Sequence, residues 1–92
     1  MAHNDLSPDT LIELNKRLRR VEGQVRGIQN MLEDARDCKE IILQIAAASK
    51  ALEQVGFRLI AYELGWCLKH PDKAAKNGYC YEDLEEVFMK LS

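Results

Sequence analysis

The stretch that decides the fold is residues 38–69, CKEIILQIAAASKALEQVGFRLIAYELGWCLK, which is followed by His70 and Pro71. Apolar side chains recur along it in steps of three or four residues, the period of one helix face. They are Ile41, Ile45, Ala48, Leu52, Val55, Leu59, Tyr62 and Trp66. Asp37, with Glu40 three residues later, forms a capping-box pattern at its start, and Pro71 is a natural terminator. The pattern predicts a single helix of about 32 residues, roughly 48 Å long.

Two further helices are predicted on either side. Ser7-Pro8 is a cap followed by proline at the first helical position, and the helix after it carries apolar residues at three- and four-residue steps: Leu11, Leu14, Leu18, Val21, Val25, Ile28 and Leu32. A short amphipathic helix from about Tyr81 follows a polar linker. Its apolar face holds Leu84, Val87, Phe88 and Leu91. No strand pattern is present, so we expect an all-α fold in one domain, residues 1–92, with residues 1–7 as a disordered tail.

The length of the central helix predicts self-association. A chain of 92 residues is short, and the first helix covers only part of the long apolar stripe. At this size a lone chain buries only about 60–65% of the surface that its unfolded form exposes. We therefore expect further copies of the chain to cover the rest.

The composition and the first residues limit the cellular locations expected for the protein. No run approaches about 18 consecutive apolar residues, which excludes a membrane span. The start, Met1-Ala2-His3-Asn4-Asp5, lacks the basic and apolar regions of a secretion signal, so a cytoplasmic location is expected. Three cysteines in a reducing compartment indicate reactive thiols or metal ligands rather than a disulfide framework.

Charge is segregated along the chain. The net charge is −2, yet one stretch of the first helix is strongly basic; its cations are Lys16, Arg17, Arg19, Arg20 and Arg26. Such a stripe, repeated in an oligomer, can bind nucleic acid, although a solvated helix face is the plainer interpretation. Gly23 and Gly27 lie within it and weaken a helix by up to about 1 kcal/mol each. They indicate close approach of another backbone or a ligand, or else tolerated flexibility.

The spacing of two cysteines suggests a site shared between copies. Cys67 follows Cys38 by 29 residues, almost eight helical turns, so both occupy one face of the long helix. They lie roughly 43 Å apart within one chain, but antiparallel pairing of two copies brings Cys38 of one beside Cys67 of the other. Glu63, four residues before Cys67, looks into the same site. The helix dipole favours a thiolate at Cys38, with support from Arg36 and Lys39. The alternative is that both cysteines are small core residues.

Three other candidates are weaker. His70, three residues after Cys67, is either an additional ligand or an ordinary cap at the helix end. Cys80 has no comparable partner in the sequence and is interpreted as incidental. His3 falls in the expected tail.

The residues RLRRVEGQVRGI at 17–28, followed by Asp37-Cys38 and by Ile45-Ala46-Ala47, resemble the CsoR/RcnR family of small bacterial repressors. The resemblance extends from about Leu11 to Leu91. It implies a homotetramer, a dimer of dimers in which each dimer is an antiparallel four-helix bundle. It also implies operator DNA as the partner of the basic residues, which are Lys16, Arg17, Arg19, Arg20 and Arg26. Gln54 stands where some members carry a DNA-binding arginine.

The resemblance also bears on the effector. Copper sensors of the family resemble Cys-His-Cys, whereas this chain has Cys38, Glu63 and Cys67. Loss of the imidazole favours the persulfide-sensing CstR branch, in which paired thiols become bridged by reactive sulfur species and the operator is released. Under this interpretation we expect neither a cofactor nor a metal, and we place Glu63 and His70 in the effector pocket. The alternative is Cu(I) held by Cys38 and Cys67. Asp83 lies near where some copper sensors place a second acid.

Rival function classes have less support. No Cys-x-x-Cys motif, glycine-rich phosphate loop or catalytic base beside a nucleophile is present, so we do not expect an enzyme. A purely structural helical bundle, with the basic stripe as a solvated surface, remains the plain alternative to a repressor.

Overall fold

A computed structural model describes residues 6–72 and 81–92, and within these ranges the chain forms three long helices and no strand. Helix α1 is Pro8–Glu33, α2 is Cys38–Lys69 and α3 is Tyr81–Leu91. The all-α expectation is confirmed, and the 32-residue α2 has the predicted bounds. His3 and Cys80 lie outside the described residues, so nothing in the structure bears on them.

Both ends of α1 are set by local contacts. The Ser7 hydroxyl accepts a hydrogen bond from the Thr10 backbone N–H at 3.2 Å, and Pro8 is the first helical residue. After Glu33 the chain reverses with Ala35 in the left-handed region at φ 52°. There the Arg36 N–H donates to the Met31 carbonyl at 3.0 Å and the Ala35 N–H to the Leu32 carbonyl at 3.2 Å. This pair of bonds is a Schellman motif, so α1 stops sharply and α2 begins within four residues.

The start of α2 differs in one detail from the predicted capping box. The Glu40 carboxylate accepts two hydrogen bonds from the Arg36 guanidinium, at 2.9 and 3.2 Å. It therefore pairs with a side chain four residues earlier instead of capping the backbone N–H at Asp37. The Asp37 carbonyl accepts the first helical hydrogen bond, from the Ile41 N–H at 3.1 Å.

The structure divides into two compact units, and residues Leu6–Val55 form one of them. It is a helical hairpin of α1 and the first part of α2. Its core is a single seam of buried residues spaced by sevens on each helix: Leu14 and Val21 on α1, and Ile41, Ala48 and Val55 on α2. A seam this narrow leaves the other apolar residues of both helices without cover.

The second unit joins the last part of α2 to α3, from Gly56 to Ser92. Trp66, Cys67 and Leu84 form its buried cluster, with Ile60 packed against it.

The far end of α3 packs near the start of this unit. The Phe57 and Phe88 ring centroids lie 5.5 Å apart, and a Cβ on Gly56 would stand 2.8 Å from a Leu91 methyl group. Because Leu84, Phe88 and Leu91 meet successively earlier residues of α2, α3 runs antiparallel to it and covers part of the face that holds Cys67.

Much apolar surface remains exposed. No large side chain in the described ranges is fully buried, and many lie more than one-third exposed. Those at least 47% exposed are Ile12, Val25, Leu32, Ile42, Leu43, Ile45, Leu52, Leu68 and Met89. A stable domain rarely leaves so many apolar side chains in water, which favours the predicted association with further copies. The tetramer itself, and the single-domain organisation, stay predictions.

In the described part of the chain, no helix is both long enough and apolar enough to span a bilayer.

Candidate functional site

Cys38 is the first residue of α2, and it is an exposed free thiol. Arg36, which the sequence places near this thiol, is held by the Glu40 carboxylate at 2.9 Å. Lys39 is exposed beside Cys38. Cys38 is thus open to reagents and to a second protein surface.

Cys67 lies in the last turn of α2 in the opposite environment. It is 3% exposed, beneath Leu84 of α3 and beside Trp66. Its sulfur is disulfide-bonded, which differs from the free thiol that the sequence predicts. Reduction of this bond is therefore a prerequisite for Cys67 to act as a nucleophile or a metal ligand.

Glu63 is the buried charged residue of this region, 9% exposed. It precedes Cys67 by one helical turn, so the two side chains project from the same face of α2. The structure thus places Glu63 beside Cys67, in the arrangement expected from their spacing.

His70 ends α2. Its Nδ1 lies 3.1 Å from the Trp66 carbonyl oxygen, and its ring stacks on the Trp66 indole with centroids 4.8 Å apart. A carbonyl oxygen only accepts, so Nδ1 is the donor in this hydrogen bond. The contact is that of a helix cap, and it leaves Nε2 as the donor that His70 can offer to a metal.

A cavity of about 400 Å³ adjoins this end of the helix. Its lining residues are Ala61, Tyr62, Gly65, Trp66, Lys69 and His70. Cys67 and Glu63 do not line it, because they project from a neighbouring face of α2. The cavity is therefore distinct from the predicted thiol site, and His70 is the predicted site residue that lines it.

The predicted effector residues do not form a complete site in one chain. Glu63 and Cys67 lie in the last two turns of α2 and His70 directly follows the helix, whereas Cys38 is its first residue. Among residues 6–72 and 81–92, no group of three or more His, Cys, Asp or Glu side chains is arranged to hold a metal. A site that uses both cysteines accordingly requires a second copy.

Four of the five predicted DNA-binding cations share one exposed surface of α1. They occupy steps of three and four residues on the side opposite Leu14 and Val21, and we call them the basic face: Lys16, Arg19, Arg20 and Arg26. In the described part of the chain none of the four is in an ion pair. Arg17 differs, because it is 31% exposed and is held by Glu13 at 3.3 Å.

Three contacts were missed by sequence reasoning. The cover that Leu84 provides over Cys67 was signalled only by the apolar face of the third helix, which does not say what it covers. The pairs of Arg17 with Glu13 and Arg36 with Glu40 were visible as charges four residues apart, a spacing that allows but does not require contact.

Sequence comparisons identify relatives. A family model described as metal-sensitive transcriptional repressor matches residues 12–91. The copper-sensing transcriptional repressor CsoR of Bacillus subtilis (strain 168) is 36% identical over 80 residues, which cover 87% of this chain and 79% of that protein. The copper-sensing transcriptional repressor RicR of Mycobacterium tuberculosis is 47% identical over 53 residues, 58% of this chain and 55% of that protein.

Solved structures agree on the fold. The crystal structure of the copper-sensing repressor CsoR with Cu(I) from Geobacillus thermodenitrificans NG80-2 matches with a TM-score of 0.74 at 36% identity, over 97% of this chain and 90% of that one. The nickel-responsive transcriptional regulator InrS matches with a TM-score of 0.70 at 27% identity, over the full length of both chains.

These relatives correct one expectation and confirm two. The expectation of a protein without cofactor is wrong, because the relatives are named as copper-sensing and one is solved with Cu(I). The physical reason is that two thiols can serve a soft metal even where an imidazole is missing. The absence of enzymatic function is confirmed, since the relatives are repressors. With a family model covering residues 12–91, the resemblance seen in the sequence is also confirmed: this chain belongs to the CsoR/RcnR family of metal-sensitive transcriptional repressors.

Proposed function

We propose that this repressor responds to Cu(I) through sites shared between two copies of α2, each built from Cys38 of one copy and Cys67 of the other. One observation carries the proposal: an exposed free thiol begins a helix whose last turn holds a second cysteine beside a buried carboxylate. Antiparallel pairing of two copies is the arrangement that unites them. Two equivalent sites then form, one at each end of the pair.

The surface between the cysteines supports this pairing. In the register that sets Cys38 against Cys67, Ile45 faces Ile60 and the two-fold axis falls between Leu52 and Glu53. Ile45 and Leu52 are 47% and 51% exposed in the single chain. Pairing would bury these side chains, and each fully buried aliphatic side chain contributes about 1.5–3 kcal/mol. Apolar burial thus gives the pair its stability, and the register gives it the sites.

The donor set suits Cu(I) in part. Cu(I) is soft and prefers thiolates, which Cys38 and Cys67 supply once Cys67 is reduced. A carboxylate is a hard ligand, so Glu63 is not assigned a bond to the metal and adjoins the thiolates instead. Nε2 of His70 is the further soft donor near Cys67, because Nδ1 is engaged by the Trp66 carbonyl.

Operator DNA is assigned to the basic face, with Arg17 at its margin. Affinity for DNA falls steeply when fewer phosphates are neutralised. Effector binding that shifts two copies of α2 also shifts the α1 helices packed on them, and this changes the spacing of the cations. Coupling between sites is commonly 1–3 kcal/mol, so we expect Cu(I) to weaken operator binding about 5- to 150-fold.

The test uses reduced protein under anaerobic conditions. Cu(I) is titrated in competition with a chromophoric chelator while binding to a promoter fragment is followed by fluorescence anisotropy. The wild type should take up one Cu(I) per chain and lose affinity for DNA. Cys38→Ser should bind the promoter normally and fail to respond, whereas Ser92→Ala, an exposed control outside α2, should behave as wild type. Unchanged promoter affinity in the copper-loaded wild type would refute the proposal.

A second candidate effector is sulfane sulfur, and Glu63 favours it, since the position offers Cu(I) no imidazole. The Cys38 thiolate would attack the outer sulfur of a persulfide and release a thiol, leaving a persulfide on Cys38. The Cys67 thiolate of the other copy would then attack the Cys38 sulfur and release hydrosulfide, forming a disulfide between copies. If Cys67 has likewise become a persulfide, its outer sulfur attacks the Cys38 sulfur and releases hydrosulfide, which forms a trisulfide between the copies.

Intact mass under non-reducing conditions separates the two candidates. Reduced protein is exposed either to polysulfide or to one equivalent of Cu(I), and promoter binding is measured in parallel. Copper-dependent release without a covalent dimer supports Cu(I) sensing. A covalent dimer formed with polysulfide, as a disulfide or with added sulfur, together with release of DNA and no response to copper, supports the second candidate and refutes the first.

A further inference from the structure

Two glycines lie on the same side of α1 as the basic face, Gly23 in its middle and Gly27 at its C-terminal end. Stepping along α1 from Lys16, the same side of the helix presents Arg19 and Arg20, then Gly23, then Arg26 and Gly27. The distance from Lys16 to Arg26 is about 15 Å along the helix axis. All of these positions are exposed, so the glycines form a strip without side chains among four cations.

Nothing in the described chain requires glycine at either position. A Cβ built on Gly23 or on Gly27 meets no atom within 4 Å, so no neighbouring segment needs the space. Both residues lie inside α1, with ordinary helical backbone that any residue adopts. Glycine is a poor helix former, and two of them four residues apart weaken α1. Among the described residues, the space over both glycines is thus open to a partner of α1.

We propose that Gly23 and Gly27 let the sugar–phosphate backbone of DNA approach the α1 backbone closely, so that the four surrounding cations reach its phosphates together. The inference rests on the proposed DNA-binding role of the basic face. It assigns a role in DNA binding to two uncharged residues: they allow the helix backbone to approach the DNA phosphates closely. Alanine at either position places a methyl group between helix and phosphate and holds the two apart.

Charge decides between DNA and a second copy of the chain as the occupant. A second α1 packed on this strip would bring its own Lys16, Arg19, Arg20 and Arg26 against the same four residues. None of these cations has an ion-pair partner in the described ranges that would offset the repulsion. A phosphate backbone carries the opposite charge and gains counterion release from the same contact.

The test uses the opposite effects that alanine should have on the stability of α1 and on its affinity for DNA. Gly23→Ala and Gly27→Ala should each raise Tm by about 2–8 °C, and the double variant by about the sum, because alanine favours the helix and the space is open. The double variant should bind the promoter about tenfold or more weakly, and the slope of log affinity against log salt should become shallower by about 1 for each phosphate that the helix no longer reaches. Gly65→Ala is the matched control, since a Cβ there also meets nothing within 4 Å and it lies on α2, away from the basic face. It should raise Tm and leave promoter affinity unchanged.

Arg19→Ala and Arg20→Ala, measured alongside, separate this inference from the proposed function. If the arginine variants lose promoter binding while the glycine variants bind as wild type, the inference is overturned and the basic face stands. If none of these variants changes binding, the DNA-binding assignment of the face is itself wrong. A change of oligomeric state in the glycine variants, seen by sedimentation velocity, would assign the strip to an interface between copies and overturn the inference.

Discussion

Leu84→Ala should expose Cys67, because Leu84 is the α3 side chain in the buried cluster with Trp66 and Cys67. Leu84 is 5% exposed, and Cys67 beneath it is 3% exposed. Removing a buried leucine from a packed core costs about 2–5 kcal/mol. The cluster here is small, and its α3 neighbour Phe88 is 44% exposed, which allows partial relaxation. We therefore expect about 2–3 kcal/mol, at the low end of that range.

This cost weakens the docking of α3 on α2, so the two separate more often. At 1.4 kcal/mol for each factor of ten, the open population should rise about 30- to 150-fold. A buried thiol reacts with a small alkylating agent only while it is uncovered, so its rate follows the open population. Cys38 is exposed already, and its rate provides an internal reference within each sample.

The assay is alkylation of reduced protein under anaerobic conditions with iodoacetamide, followed by peptide mass spectrometry at timed intervals. The ratio of the Cys67 rate to the Cys38 rate is compared among wild type, Leu84→Ala and the control Met89→Ala, whose side chain is 66% exposed on the same helix. The control ratio should equal that of the wild type. A Leu84→Ala ratio within about threefold of wild type would refute the reasoning, since it would mean that something other than α3 covers Cys67.

Four other substitutions have defined outcomes. Ser7→Ala removes the α1 cap and should lower the free energy of unfolding in urea by about 1 kcal/mol; an unchanged value would mean that the cap contributes nothing. Ala35→Gly should raise it by about 0.5–1 kcal/mol, because glycine adopts the left-handed φ of 52° without steric cost, and a decrease would contradict the Schellman assignment. Gly56→Leu should speed amide exchange throughout α3 about tenfold or more, since a Cβ there already stands 2.8 Å from a Leu91 methyl group, and unchanged protection would refute the packing. Leu52→Glu should leave helix content unchanged and shift sedimentation toward the single chain, whereas an unaltered oligomer would exclude α2 pairing in the proposed register.

Local signals in the sequence were sufficient to predict where the helices lie. Ser7-Pro8 marks the start of α1, and Cys38 and Lys69 bound an α2 of the predicted length. Caps, prolines and hydrophobic period act over a few residues, so they can be recognised without knowing the tertiary structure. The basic run and the spacing of the two cysteines are likewise properties of a periodic helix, fixed once the helix is assigned.

Only the tertiary structure distinguished the two thiols. Sequence places Cys38 and Cys67 symmetrically at the ends of one helix, yet the first is exposed and the second is buried beneath α3. The difference depends on packing against Leu84, which is 17 residues further along the chain, and helical periodicity carries no information about such a partner. Side-chain pairing also needed coordinates, because Arg17 meets Glu13 while its neighbours Arg19 and Arg20 form no ion pair with any described residue. Sequence thus determined which residues share a helix face, and the packing of one helix on another decided which of them water and DNA can reach.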